Sequence, residues 1–121
     1  MRDFLAVTKA LADRNRVRAL LALQDRQLCV CQIIEFLGLA PATVSKHMAI
    51  LRQAKLVEDS KEGRWVYYRL PRGSSPRVIH DVLAWVRGSL AADPDIREDA
   101  KRLKDILKIK PEDLCKRLGK C

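Results

Sequence analysis

Apolar positions keep helical spacing through the first third of the chain. Phe4, Leu5, Val7 and Leu11 predict one helix, and Asp13 is placed to cap a second that carries Val17, Leu20, Leu21 and Leu23. Asp25 and Arg26 interrupt the pattern. Val30, Ile33, Ile34 and Leu37 then form a narrow stripe ending at Gly38, a good helix stop. Pro41 suits the first turn of a fourth helix over residues 41–54, where Val44, Met48 and Leu51 recur at i, i+4 and i+7. The period then changes: Leu56 to Ser60 and Arg64 to Leu70 read as strands, with a turn at Lys61, Glu62 and Gly63. Ser75-Pro76 opens a fifth helix carrying Ile79, Val82, Leu83, Val86 and Leu90. After Asp93-Pro94-Asp95, a sixth helix is marked by Ile96, Ala100, Leu103 and Leu107. Pro111 starts a short last one with Leu114 and Leu118 before Gly119.

Two helices joined by Gly38, Leu39 and Ala40 match a helix-turn-helix, and a β-hairpin after it is a wing. The expected fold is mainly α with a β-hairpin wing, a winged helix-turn-helix over residues 1–92 followed by a helical tail over 93–121. The fifth helix holds more apolar residues than a small monomer would bury. With the apolar first helix, it predicts an interface between two copies, a homodimer.

The 24 Lys and Arg against 15 Asp and Glu, net +9, favour a polyanionic partner, and most of the excess falls in residues 1–72. No apolar run has the length of a membrane span or a signal peptide, so a cytoplasmic protein is expected. With Val44, Met48 and Leu51 turned inward, the fourth helix offers Ala42, Thr43, Ser45, Lys46 and Arg52 to double-stranded DNA, with Ala49 and Gln53 on the same outward side. His47 lies nearer the core stripe, where packing and a phosphate contact are both open. Lys61 and Arg64 flank the hairpin turn and can reach phosphate or the minor groove. Trp65, Tyr67 and Tyr68 read as wing packing, because a duplex hides its base faces. Arg16 and Arg18 are open between phosphate contacts and salt bridges.

Four cysteines in a reducing compartment suggest metal ligands or reactive thiols rather than a disulfide framework. Cys29 and Cys31 stand at the head of the third helix, where free N–H groups favour thiolate. If both are helical, they point about 200° apart around its axis. One soft ion then holds both only if the helix end unwinds or bends. An enzyme is not expected: no βαβ pattern is present, and neither His47 nor His80 is close in sequence to the CxC pair.

The stretch LCVCQIIEFLGLAPATVSKHMAILRQAKLVEDSKEGRWVYYRL, Leu28 to Leu70, closely resembles the winged helix-turn-helix repressors of the ArsR/SmtB family, and its LCVC element resembles their arsenic-responsive branch. The resemblance covers about residues 3–90. It implies a homodimer on an inverted-repeat operator, controlling metal-resistance genes and released by As(III) or Sb(III) held by three thiolates. The third cysteine usual in that branch stands three positions after the second, and here that position is Ile34. Cys115 or Cys121, both on the tail, is therefore expected to close a site with Cys29 and Cys31, with Cys115 favoured because it lies within a predicted helix. The family's fifth-helix site of paired carboxylates and histidines is not expected, since only His80 and Asp81 are present there. Alternatives are a cadmium or lead site using all four cysteines, a thiol redox sensor using the CxC pair, and a DNA-binding protein with no inducer.

Overall fold

Each helix starts or stops where the chain supplies partners for its orphaned backbone groups. The computed structural model describes residues 1–119. Helix α1 (Arg2–Leu11) leads into α2 (Arg14–Ala22), whose N-cap Asp13 accepts from the N–H groups of Asn15 and Arg16 at 2.8 and 3.2 Å. Burial pushes the Asp13 carboxyl up. The two backbone donors and, in acid, the charges on His47 and Arg16 outweigh it, leaving the group below its ordinary 3.8.

Helix α3 (Val30–Leu37) ends at Gly38, whose left-handed φ of 67° a larger side chain would adopt only under strain. Three residues later the chain has turned into α4 (Pro41–Gln53). Helix α4 closes with the N–H groups of Lys55 and Leu56 returning to the carbonyls of Arg52 and Leu51 at 2.9 and 3.0 Å. Lys55 takes φ 64° to do so, held there by the burial of Leu56 beside it.

The wing is β2 (Glu58–Glu62) paired antiparallel with β3 (Trp65–Arg69). Glu62 faces Trp65, so the turn is the two residues Gly63 and Arg64 and not the expected Lys61 to Gly63. A two-residue loop needs positive φ, which Gly63 supplies at 63°. A strand that periodicity did not predict, β1 (Leu28–Cys29), pairs antiparallel with the other edge of β3, giving the order β1-β3-β2.

Helix α5 (Arg77–Leu90) buries only Ile79 and Val86. Val78 and Trp85 on it, and Phe4 and Leu5 on α1, are each more than half exposed, so among the described residues α1 and α5 present uncovered apolar faces. The apolar surplus of α5 thus lies on Val78 and Trp85 as well as on the half-buried Val82, Leu83 and Leu90.

The tail folds back onto the body. Helices α6 (Pro94–Leu107) and α7 (Pro111–Leu118) pack on α3, and α6 also on α2. Their Leu103, Ile106, Leu114 and Cys115 join the same buried cluster as Leu20, Phe36 and Met48. Polar ties fix the register. Arg18 lies over the Phe36 ring at 5.3 Å and grips Asp99 with two hydrogen bonds of 2.8 and 3.0 Å, while Arg102 donates to the Glu35 carbonyl at 2.8 Å near the end of α3. Among the described residues no helix is long and apolar enough to cross a membrane.

Asp99 and Arg18 are only 16% and 13% exposed, so Asp99→Ala leaves a largely desolvated guanidinium with Asn15 Oδ1 as a partner and without its counter-ion. The expected loss is about 2–3 kcal/mol in urea unfolding, against about 1 kcal/mol for Arg102→Ala, which removes one hydrogen bond.

Candidate nucleic-acid interface and thiol site

Helix α4 separates its two faces cleanly. Val44, Met48 and Leu51 are buried, whereas Ala42, Thr43, Ser45 and Lys46 are exposed together with Ala49 and Gln53. The helix carries Lys46 and Arg52 and no acidic residue, so nothing on it offsets their charge. Arg52 is less available than expected. Its Nη1 donates to Asp59 Oδ2 of β2 at 2.9 Å, which ties the end of α4 to the wing. Lys61 and Arg64 are exposed at the wing tip, and Arg69 pairs with Glu58 across the hairpin through Nε at 3.2 Å. Trp65, Tyr67 and Tyr68 are half-buried against the core, consistent with a packing role.

His47 is half-buried, and its Nδ1 lies 3.1 Å from Arg16 Nη1. Arg16 also donates through Nε to the Ala10 carbonyl at 2.9 Å and through Nη2 to the Lys9 carbonyl at 3.0 Å. The salt-bridge reading of Arg16 holds in part, since Asp13 Oδ2 lies 4.0 Å from its Nη1, but most of its donors are taken by the end of α1 and by α4. Arg18 is engaged by Asp99.

The thiols depart from expectation at Cys29. Only Cys31 lies in α3, at its second position. Cys29 is the N-cap, extended at φ −76° and ψ 158°, and stands opposite Tyr67 in the β1–β3 pairing. The angle of about 200° assumed two helical residues, so it does not apply; the turn from strand to helix sets the separation instead. The reason is non-local. Pairing with β3 draws the backbone of residues 28–29 into a strand before α3 can begin.

Gln32 completes the junction. Its Oε1 accepts from the Cys29 N–H at 2.9 Å, and the Cys29 sulfur faces the Gln32 N–H, a capping box with sulfur in the place of a hydroxyl. This explains why Gln32 is buried at 8% exposure. C-x-x-Q is a Cys variant of the S/T-x-x-Q capping signature, the signal in the sequence that would have revealed it.

Cys115 of α7, which packs on α3, is buried in the same cluster as Cys29 and Cys31. The Tyr67 phenol is held above its ordinary 10.0 by burial first, then by Cys29, Glu62, Cys115 and Glu112. Cys29, Cys31 and Cys115 are 0%, 1% and 2% exposed, so a ligand reaches them only if the packing opens. Among the described residues no three His, Cys, Asp or Glu side chains are gathered closely enough to hold a metal ion. Their chemistry still fits a soft ion: thiolates suit trivalent arsenic or antimony, and no hard oxygen ligand is needed. Cys121 lies outside the described residues. On α5, Asp81 is exposed and His80 Nε2 is buried without a hydrogen-bond partner among the described residues.

A family model described as bacterial regulatory protein, arsR family, matches residues 13–59. The arsenic resistance transcriptional regulator ArsR1 of Pseudomonas putida is 38% identical over 111 residues, covering 88% of this chain and 84% of that protein. A cadmium resistance transcriptional regulatory protein CadC homolog of Staphylococcus aureus is 36% identical over 69 residues, 56% of this chain and 57% of that protein. Among solved structures, the homodimeric winged helix-turn-helix DNA-binding domain of Mb0332 from Mycobacterium bovis, a possible ArsR-family regulator, is 26% identical with a TM-score of 0.63, covering 77% of this chain and 82% of that one.

Two outcomes follow from the junction. Cys29→Ser puts a hydroxyl oxygen in place of the capping sulfur and is expected to unfold in urea near the wild type, whereas Cys29→Ala loses about 1 kcal/mol. Tyr67 and Tyr68 both bind their protons more tightly in the folded chain, Tyr68 through burial and then Asp59, against the opposing effect of Arg52. Their contribution is therefore intact below pH 10 and lost as pH rises through the raised values. Alkaline unfolding of Tyr67→Phe should accordingly be shallower than that of the wild type.

Proposed function

This chain belongs to the arsR family of bacterial regulatory proteins, and on that premise we propose that it is a homodimeric repressor released from its operator when trivalent arsenic or antimony is captured by Cys29, Cys31 and Cys115. The observation that carries the reading is the placement of Cys29. One sulfur caps the helix that supports α4, its backbone is paired to the wing strand, and α7, packed on α3, brings Cys115 into the same buried cluster.

Two copies join through the exposed apolar faces of α1 and α5. Each places α4 in a major groove, with Thr43, Ser45 and Lys46 reaching bases or phosphates and Ala42 giving close approach. Lys61 and Arg64 follow the backbone from the wing. Because the two α4 helices are related by a twofold axis, the operator is an inverted repeat.

Ion capture competes with this arrangement through backbone shape. Each thiol would yield its proton to an arsenite hydroxyl, which leaves as water; with its sulfur so engaged, Cys29 turns from the Gln32 N–H, and drawing Cys31 toward it unwinds the first turn of α3. Helix α4, packed on α3, shifts relative to its twin. By linkage the operator weakens ion binding by the same factor, about 5- to 150-fold for ordinary allosteric coupling. A tail ligand from the same subunit takes the role of the cysteine that position 34 lacks, since Cys115 already packs beside α3.

Fluorescence anisotropy of an operator duplex, titrated with arsenite, tests this. Wild type should release the DNA; Cys29→Ser and Cys31→Ser should bind DNA and not release it, and Cys115→Ser should need far more arsenite. A Cys115→Ser titration matching wild type rejects the tail ligand. Saturating arsenite with no change in operator affinity rejects the inducer. X-ray absorption of the loaded protein should count three sulfurs, and a fourth, from Cys121, would favour cadmium or lead.

A further inference from the structure

The contact between Arg16 and His47 constrains the chemistry of the DNA-facing helix. A guanidinium has only N–H donors and stays charged, so a 3.1 Å contact with His47 Nδ1 requires a lone pair on that nitrogen. An imidazolium has protons on both nitrogens and offers none. The ring is therefore neutral when the contact is made, with its proton on Nε2, the nitrogen turned from Arg16.

The donor is anchored where it stands. The side chain of Arg16 is 11% exposed. It spans the Ala10 and Lys9 carbonyls at the end of α1, and Asp13 Oδ2 lies 4.0 Å from the same Nη1 that meets His47. Asp13 is itself occupied by the first N–H groups of α2, so Arg16 cannot swing away without breaking contacts at three helices. His47 follows the exposed Lys46 and lies one turn after Thr43, so its outer edge borders the strip offered to DNA.

We infer that Arg16 is a positioning residue for the DNA contact: through Nη1 it holds His47 in the Nε2–H tautomer, so that α4 presents a fixed neutral donor to an acceptor on the duplex. The inference rests on the DNA-binding reading above. It differs from a phosphate contact by Arg16 in a measurable way, because a neutral donor and a buried guanidinium release no counterions.

The test has two arms on the full chain. In the first, long-range ¹H–¹⁵N correlation of the His47 ring at neutral pH, without DNA, should show the Nε2–H tautomer in wild type and a mixture in Arg16→Gln. An Nδ1–H tautomer in wild type, or an unchanged ring in the variant, overturns the inference. In the second, affinity for a duplex bearing the inverted repeat that wild type protects upstream of its own coding sequence is followed against salt. Arg16→Gln and His47→Ala should each bind about three- to tenfold more weakly with the salt slope of wild type, His47→Gln should bind nearly as wild type, and Lys46→Ala should flatten the slope. A flattened slope in Arg16→Gln makes Arg16 a phosphate ligand and overturns its positioning role. If Arg16→Gln does not fold, Arg16→Lys, which keeps the charge and loses the fork, is expected to show the same mixed tautomer; an Nε2–H ring as in wild type overturns the inference. Failure of wild type to protect or bind any duplex, with the tautomer as expected, overturns the DNA reading and the functional half of the inference, and leaves the Arg16–His47 contact established.

Discussion

Cys29 satisfies two geometries at once, and the rest of the structure is arranged around that junction. Its backbone belongs to the short strand β1, opposite Tyr67, while its sulfur and N–H exchange contacts with Gln32 at the head of α3. The backbone is thus extended on one side of the residue and helical on the other. Any ligand that recruits the sulfur acts on strand and helix together, because Cys29 is paired to the wing strand and heads the helix on which α4 packs.

The tail makes that junction more secure. Helix α6 is held to α2 by the Arg18–Asp99 pair and to α3 by Arg102 on the Glu35 carbonyl. These contacts cover the helix that carries Cys31, onto which α7, with Cys115, also packs. An exposed ion pair would contribute little. A largely buried, two-point pair whose guanidinium lies over Phe36 fixes an orientation, because both partners are mostly withdrawn from water.

Much of the fold was legible because it is written in local terms. Asp13, Gly38, Asp93 and Gly119 mark helix ends by their own chemistry, and the apolar periods of α1 to α7 need no knowledge of partners. The exposed strip Ala42, Thr43, Ser45 and Lys46 follows from the inward turn of Val44, Met48 and Leu51. What escaped depends on how one element meets another. A strand of two residues has no period to detect and exists only through its pairing with β3, the wing turn shifted by the register of Glu62 on Trp65, and Arg52 found Asp59 on the next element, seven residues on.

The sequence by itself determined which segments are helical, where the hairpin stands, which face of α4 remains free, and that soft sulfur ligands are available. These depend on side chains a few residues apart, so spacing alone carries them. Only the tertiary structure decided that Cys29 leaves the helix for a strand, that Cys115 arrives beside α3 from the far end of the chain, and that Arg16 meets the ring of His47. Each joins groups far apart in the chain, and closing such distances depends on the whole core, which no local pattern encodes.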